Sequence, residues 1–183
     1  MGRLSANWLK KHKFAPGDAF IQTGTQNGIA LKYVAPLFKT IHTIELDRRY
    51  FTDSADLLSK FKNITCHHGS SPVVLPKVID RKRQTLFWLD AHYTATDTCQ
   101  YQVKDQCPLL WELSAIFNAR WQAPMTILVD DAHMHQPSFW RQRWARGYDR
   151  RQWPKQSTIE TKCREFGYDL RQIDDVFVIE KRT

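Results

Sequence analysis

Two stretches restrict the fold more than any other: Thr85-Leu-Phe-Trp-Leu-Asp90 and Met125-Thr-Ile-Leu-Val-Asp130-Asp131. Each is an apolar run that stops at carboxylates, the pattern of a strand covered on both faces. Such strands belong to a parallel sheet, and parallel neighbours need a crossover between them. Pro108 to Asn118 supplies one, because Leu109, Leu113, Ile116 and Phe117 recur at helical spacing and define a buried stripe. Asp90, Asp130 and Asp131 therefore fall at strand carboxyl ends, the edge of a doubly wound sheet at which ligands bind.

The rest of the chain reads in the same alternation. Ser5 to Lys13 forms a short basic helix within a leader, residues 1–18, expected to pack on the rim. A strand Ala19 to Thr23, a helix from Ile29 to about Phe38 and a strand Ile41 to Leu46 make one βαβ unit. A helix from Arg48 to Phe61, a strand Asn63 to His67, a turn Gly69 to Pro72 and a helix Val73 to Ile79 follow. The chain closes with a helix from Ser157 to Phe166 and two strands, Tyr168 to Ile173 and Val176 to Glu180. Asp174-Asp175 between these strands marks an antiparallel hairpin. The expected architecture is a single α/β domain over 1–183: a Rossmann-like, doubly wound, mostly parallel seven-stranded sheet with a C-terminal antiparallel hairpin.

In Phe20-Ile-Gln-Thr-Gly-Thr-Gln-Asn-Gly28 an apolar strand breaks into a glycine-bearing loop and runs into a helix. Gly24 permits a sharp turn where a side chain would collide with a ligand, Gly28 lets the helix start close to it, and first-turn N–H groups face the site. A dinucleotide fingerprint needs glycine at 24, 26 and 29, but Gln26 and Ile29 stand there. Glu45, 21 residues after Gly24, is spaced to accept hydrogen bonds from ribose hydroxyls, unless it is a solvated strand-end acid. Ser70 and Ser71 either meet an adenine edge or cap the next helix.

Lys and Arg total 27 against 19 acids, a net charge of +8, which favours acidic partners such as phosphates, anionic glycans or nucleic acid. Cys66, Cys99, Cys107 and Cys163 contain no C-x-x-C pair, so reduced thiols in a soluble cytoplasmic protein are expected. No apolar run reaches membrane-spanning length.

Six segments in register make the chain resemble the class I S-adenosylmethionine-dependent methyltransferases. They are the 20–28 turn, Thr43-Ile-Glu-Leu-Asp47, Gly69-Ser-Ser71, Phe87-Trp-Leu-Asp-Ala-His-Tyr93, Pro108-Leu-Leu-Trp-Glu-Leu113 and Ile127-Leu-Val-Asp-Asp-Ala-His133. The order is similar to the catechol O-methyltransferase type and to small bacterial methyltransferases of glycan or natural-product tailoring. The resemblance implies that S-adenosylmethionine is held by Gln22, Gly24, Thr25, Gly28, Glu45, Ser70, Ser71 and Asp90. Glu45 is implied on the ribose, and Ser70 or Ser71 on the adenine. It places Asp90, Asp130 and Asp131 where the catechol type holds Mg²⁺. Carboxylates converging from neighbouring strand ends are costly without a compensating cation, though Asp130 or Asp131 could instead cap a helix or pair with an arginine.

Two positions depart from the family pattern. Gln22 replaces an acid that contacts the cofactor's amino group, and Tyr93 replaces the catechol type's lysine base. His92, beside Asp90, is then the candidate base alongside its bland role as a rim histidine, with His133 and His135 as weaker candidates. Histidine ligation would shift the metal from Mg²⁺ toward Mn²⁺, Fe²⁺ or Zn²⁺.

Acceptor choice is expected from residues 94–106 and from a lid over 132–154. In the lid, Trp140, Trp144 and Tyr148 recur every four residues on one helical face among five arginines. Such a face packs inward, or else offers an aromatic and cationic surface to sugars, phosphates or bases. Three functions follow: a metal-assisted O-methyltransferase on a small-molecule or glycan hydroxyl, an RNA methyltransferase, or a non-catalytic cofactor-binding module. The chain carries no added RNA-binding motif.

Overall fold

The computed structural model describes residues 4–94, 105–142, 145 and 147–182. Its strands are β1 (Gly17–Thr23), β2 (Phe38–Glu45), β3 (Ile64–His68), β4 (Thr85–Leu89), β5 (Met125–Val129), β6 (Tyr168–Ile173) and β7 (Val176–Lys181). Its helices are α1 (Ala6–Lys11), α2 (Ile29–Val34), α3 (Arg48–Leu58), α4 (Ser71–Val78), α5 (Leu109–Phe117) and α6 (Gln156–Glu165). The sheet order is β3-β2-β1-β4-β5-β7-β6. β1 to β5 run parallel, and β7 is antiparallel to both β5 and β6. This is the expected mostly parallel seven-stranded sheet with its closing hairpin. The chain walks outward from β1 to β3 and returns with β4 on the other side of β1, so the order reverses between β1 and β4.

Both faces are covered, as the unbroken apolar runs require. Ile21, Phe87, Ile127 and Phe177 pack with Leu75 of α4, Leu113 of α5 and Ile159 of α6. Their strand neighbours Phe20, Trp88, Leu128 and Val178 pack with Leu9 of α1, Leu31 of α2 and Leu58 of α3. Each large side chain so buried contributes roughly 2 kcal/mol of transfer free energy. Among the described residues no helix is long and apolar enough to cross a membrane. Cys66, Cys107 and Cys163 are free thiols.

Three expectations change. The helix after the glycine turn stops at Val34 and gives way to a 3₁₀ turn, Ala35–Leu37. Pro36 lacks an N–H and disfavours α geometry in the residue before it, so β2 starts early at Phe38. The leader does not sit on the rim: Leu9 is fully buried and Trp8 meets Trp88 edge-on at 6.1 Å between ring centroids. The lid is no continuous helix. Phe139–Arg141 is a 3₁₀ turn that ends at an extended Gln142, and further such turns cover Ala132–His135 and Arg150–Gln152. Trp140 and Tyr148 nevertheless pack against the core while Arg141, Arg150 and Arg151 are exposed, which matches the inward-packing alternative. Trp144 and residues 95–104 lie outside the described residues.

Candidate functional site

The ends of β1 and β2 form one half of the crevice. Gly24 (φ 76°) and Gly28 (φ 69°) both adopt the left-handed conformation that glycine tolerates. A Cβ at Gly24 would collide with the backbone carbonyl of Asp90, and one at Gly28 would press on Ser54 and Leu58 of α3 at 3.1 Å. Both glycines thus serve close packing of the chain on itself, at the edge where the strand order reverses. α2 is only six residues long. Thr25 is buried, its hydroxyl hydrogen-bonded to that of Thr43 on β2. Gln22 is also buried; its amide donates to the Gly24 carbonyl at 3.2 Å.

Glu45 is 9% exposed. Its Oε2 accepts the Gln26 N–H at 2.8 Å and its Oε1 the Asp47 N–H at 2.9 Å. Burial pushes its pKa up, against these two donors. A carboxylate has about four lone-pair sites, so each oxygen retains capacity for a further donor. Ser70 is the N-cap residue of α4, but its exposed side chain makes no capping bond. Ser71 is buried in the first turn.

The other half is built on β4 and β5. Asp131 takes a left-handed φ of 52°, which turns the chain sharply out of the sheet and swings its carboxylate to His92. His92 Nε2 lies 3.1 Å from Asp90 Oδ1 and 3.1 Å from Asp131 Oδ2. Its Nδ1 lies 3.3 Å from the Tyr93 carbonyl. Both ring nitrogens therefore face oxygen acceptors, an arrangement that only the doubly protonated ring satisfies. Burial alone would lower the His92 pKa, but the hydrogen bonds and charges of Asp131 and Asp90 outweigh it and raise the pKa well above its ordinary value. Burial likewise opposes ionisation of Asp131, yet His92 holds its pKa below the usual carboxylate value. Asp90 is raised, chiefly by burial.

Of the three expected metal carboxylates, Asp90 and Asp131 join a cluster with His92, and Asp130 falls outside it. Asp130 is 3% exposed and its Oδ1 accepts the Asp131 N–H at 2.8 Å, so it closes the turn that aims its neighbour. Burial, then the charges of Asp90 and Asp131, push its pKa up. A second cluster joins Asp131, His133 and Asp175. Asp175, on the β6–β7 turn, accepts the His133 N–H at 2.8 Å and meets His133 Nδ1 at 2.7 Å. His135 is buried elsewhere, its Nδ1 donating to the Pro154 carbonyl at 2.8 Å.

Two groups beside the site were not singled out in the sequence. Asp175 is one. Glu112 on α5 is the other, 1% exposed, with burial pushing its pKa up to about 7 against the Ser71 and Thr23 hydroxyls, which favour its ionised form. The signal existed: Glu112 stands three residues after Leu109 and four before Ile116, on the buried stripe itself. The roof is tied by Gln106, whose side-chain carbonyl accepts the Asp149 N–H at 2.8 Å and the Trp153 indole N–H at 3.2 Å. Trp153 lies 5.3 Å from the His92 ring.

No family model matches the chain, and no curated protein matches it in sequence. Solved structures do. A protein assigned as a caffeoyl-CoA O-methyltransferase from Staphylococcus aureus aligns over 100% of this chain and 85% of its own at TM-score 0.59 and 13% identity. A protein assigned as a methyltransferase from Streptococcus mutans, in complex with S-adenosylhomocysteine, aligns over 99% of both chains at TM-score 0.58 and 13% identity. The 23S rRNA methyltransferase ErmE aligns over 97% of this chain and 67% of its own at TM-score 0.57 and 13% identity. The fold of this chain is that of the class I S-adenosylmethionine-dependent methyltransferases.

Proposed function

We propose that the chain is an S-adenosylmethionine-dependent O-methyltransferase acting on a hydroxyl of a small molecule or glycan. The observation that carries this is convergence: Gly24, Glu45, Ser70, Ser71 and Asp90 come from four strand ends to the single edge where the sheet order reverses. When bound, S-adenosylmethionine supplies an activated methyl group. Glu45, already oriented by two backbone donors, has the remaining lone pairs for a ribose diol. Asp90 and Asp131 line the acceptor side. A hydroxyl proton released there passes to one of their carboxylate oxygens. His92 holds both in place as a cation rather than acting as the base itself.

The donor set also fits a divalent ion, through Asp90, His92 and Asp131, once the Nε2 proton of His92 is lost. Two carboxylates and an imidazole suit Mn²⁺, Fe²⁺ or Zn²⁺ better than Mg²⁺. A metal there would supply orientation and acidification of the acceptor hydroxyl. O-methylation is supported by the fold shared with the assigned caffeoyl-CoA enzyme, and RNA as acceptor by the net charge of +8 and the fold shared with the rRNA enzyme. The inward packing of Trp140, Tyr148 and Trp153 favours the smaller acceptor, because those rings are engaged with the core and one another rather than free to stack on bases.

Calorimetry with S-adenosylhomocysteine tests the donor assignment. Wild-type protein is expected to bind it, and Glu45→Ala to weaken binding roughly a hundredfold through loss of charge-assisted hydrogen bonds. Absence of binding at millimolar ligand, or an unaffected Glu45→Ala, refutes it.

A further inference from the structure

Asp131 turns its two oxygens to two different histidines. Oδ2 meets His92 Nε2 at 3.1 Å, whereas Oδ1 faces His133 Nδ1 at 3.9 Å. His133 Nδ1 also lies 2.7 Å from Oδ2 of Asp175, and one donor atom from each of Asp131, His133 and Asp175 lies within 4.8 Å of the other two. Donors held about 2.1 Å from one first-row ion stand roughly 3 to 3.5 Å apart, so the distances of 2.7 and 3.9 Å bracket what a shared ion requires. Backbone contacts impose the arrangement. Asp175 Oδ1 accepts the His133 N–H at 2.8 Å and its carbonyl accepts the Ala132 N–H at 2.9 Å, which ties the β6–β7 turn to the turn after β5. Asp131 and Asp174 both take a left-handed φ of 52°, a conformation that aspartate tolerates better than most residues. Asp174 is anchored in turn on α1, its Oδ2 accepting the Trp8 indole N–H at 2.9 Å. With Oδ1 of Asp175 engaged by backbone, its Oδ2 is the oxygen directed at the imidazole.

We propose that Asp131, His133 and Asp175 form a divalent-metal site of their own, sharing only Asp131 with the cluster of Asp90 and His92. Two carboxylates balance the charge of one divalent ion, and together with an imidazole they suit Mn²⁺, Fe²⁺, Co²⁺ or Zn²⁺. Ligation uses the Nδ1 lone pair, so the His133 ring carries its hydrogen on Nε2 when the ion is held. An ion in the neighbouring cluster displaces the hydrogen that His92 directs at Asp90 and Asp131. An ion on the Oδ1 side of Asp131 leaves that bond in place. The side chains of His133, Asp131 and Asp175 are 39%, 21% and 21% exposed, so an ion reaches them from solvent. Three protein donors leave coordination positions open for water or for an oxygen of a bound acceptor. The site stands on these residues alone and is independent of the methyl-donor reading.

The test is calorimetric titration of Co²⁺ into chelator-treated wild type, His133→Asn, Asp175→Asn, Asp90→Asn and His42→Asn, with visible absorption followed in parallel and thermal unfolding of each with and without the ion. Wild type is expected to bind Co²⁺ and to gain Tm with it. Asp175→Asn keeps an oxygen to accept the His133 N–H while removing the ligand charge. It and His133→Asn should each weaken binding about tenfold or more. Asp90→Asn, which removes a donor of the neighbouring cluster, should weaken it far less. His42→Asn should leave it unchanged, although His42 Nδ1 and His67 Nε2 face each other at 3.0 Å and offer a second pair of imidazoles. In wild type, substoichiometric Mn²⁺ should broaden the His133 ring resonances ahead of those of His92, a readout for which no variant has to fold. No binding at millimolar Co²⁺ overturns the proposal, as does binding that survives both His133→Asn and Asp175→Asn. Binding lost in Asp90→Asn but retained in Asp175→Asn overturns it as well and assigns the ion to the cluster of Asp90, His92 and Asp131.

Discussion

At the end of β2 the carboxylates of Glu45 and Asp47 meet backbone N–H groups, whereas at the ends of β4 and β5 those of Asp90 and Asp131 meet a histidine side chain. Backbone donors come with the turn and cannot be titrated away. A histidine cation can be deprotonated, displaced or replaced. On the proposed reading the β2 edge is the one that holds the nucleoside, with its acids oriented by fixed donors. The β4–β5 edge has a charge state that depends on its contents, which suits the edge where protons move.

Removing the cation should break that contrast most strongly. His92→Ala leaves two half-buried carboxylates facing each other, and loss of one partner from a buried charge cluster costs about 4 kcal/mol. At the lower pH the loss should be smaller, because burial raises the Asp90 pKa and so eases neutralisation of one of the two facing carboxylates. Urea unfolding at pH 5 and pH 8 measures this. Added Mn²⁺ should restore stability to the variant more than it raises that of wild type, by occupying the place of the imidazolium. A loss under 1 kcal/mol, equal at both pH values, would mean that the cluster is not held by the charge of His92.

His135 sharpens the comparison, because it is the same residue type without carboxylate partners. Burial among Trp153 and Phe177 holds its pKa down to about 4. A depressed pKa means that stability is present above the unfolded value of 6.5 and is lost as pH falls from there toward 4. The loss across that window is on the order of 3 kcal/mol. His135→Asn, which cannot be protonated, should flatten the stability profile between pH 6.5 and 4. A variant whose profile parallels wild type over that range would assign the acid loss to other groups.

How much of this was legible in the sequence follows the same division. The seven strands were readable because apolar runs such as Leu86–Leu89 and Ile127–Val129 carry their burial in their own composition. The positions of Glu45 and of the β1 turn at neighbouring strand ends were readable because spacing along a βαβ unit fixes them. The placement of Asp130 and Asp131 was not, since it depends on a left-handed turn at Asp131 that no local residue pattern announces. The ionic surroundings of His92 were not legible, because the Asp131 carboxylate that meets its Nε2 beside that of Asp90 comes from another strand end and joins it only in three dimensions. The lid was misread for a simpler reason: aromatic residues at intervals of four match a helix, yet Trp140 reaches the core from a short 3₁₀ turn and Tyr148 from irregular chain. Glu112 was hidden among apolar neighbours that directed attention to the stripe and away from the acid on it.

The smallest expected effect separates capping from ligand contact at the β2 and β3 ends. Asp47 caps α3 through Oδ1, which accepts the Arg49 N–H at 2.8 Å and the Tyr50 N–H at 3.2 Å. Asp47→Ala should therefore cost about 1 kcal/mol of stability, the usual worth of such a cap. Ser70 occupies the same position in α4, but its side chain makes no capping bond. Ser70→Ala should consequently change stability by less than about 0.5 kcal/mol, the range of surface substitutions without a structural role. Chemical denaturation of the two variants beside wild type resolves the difference. Equal losses would mean that the Ser70 hydroxyl caps α4 in solution, which would account for this serine without any ligand.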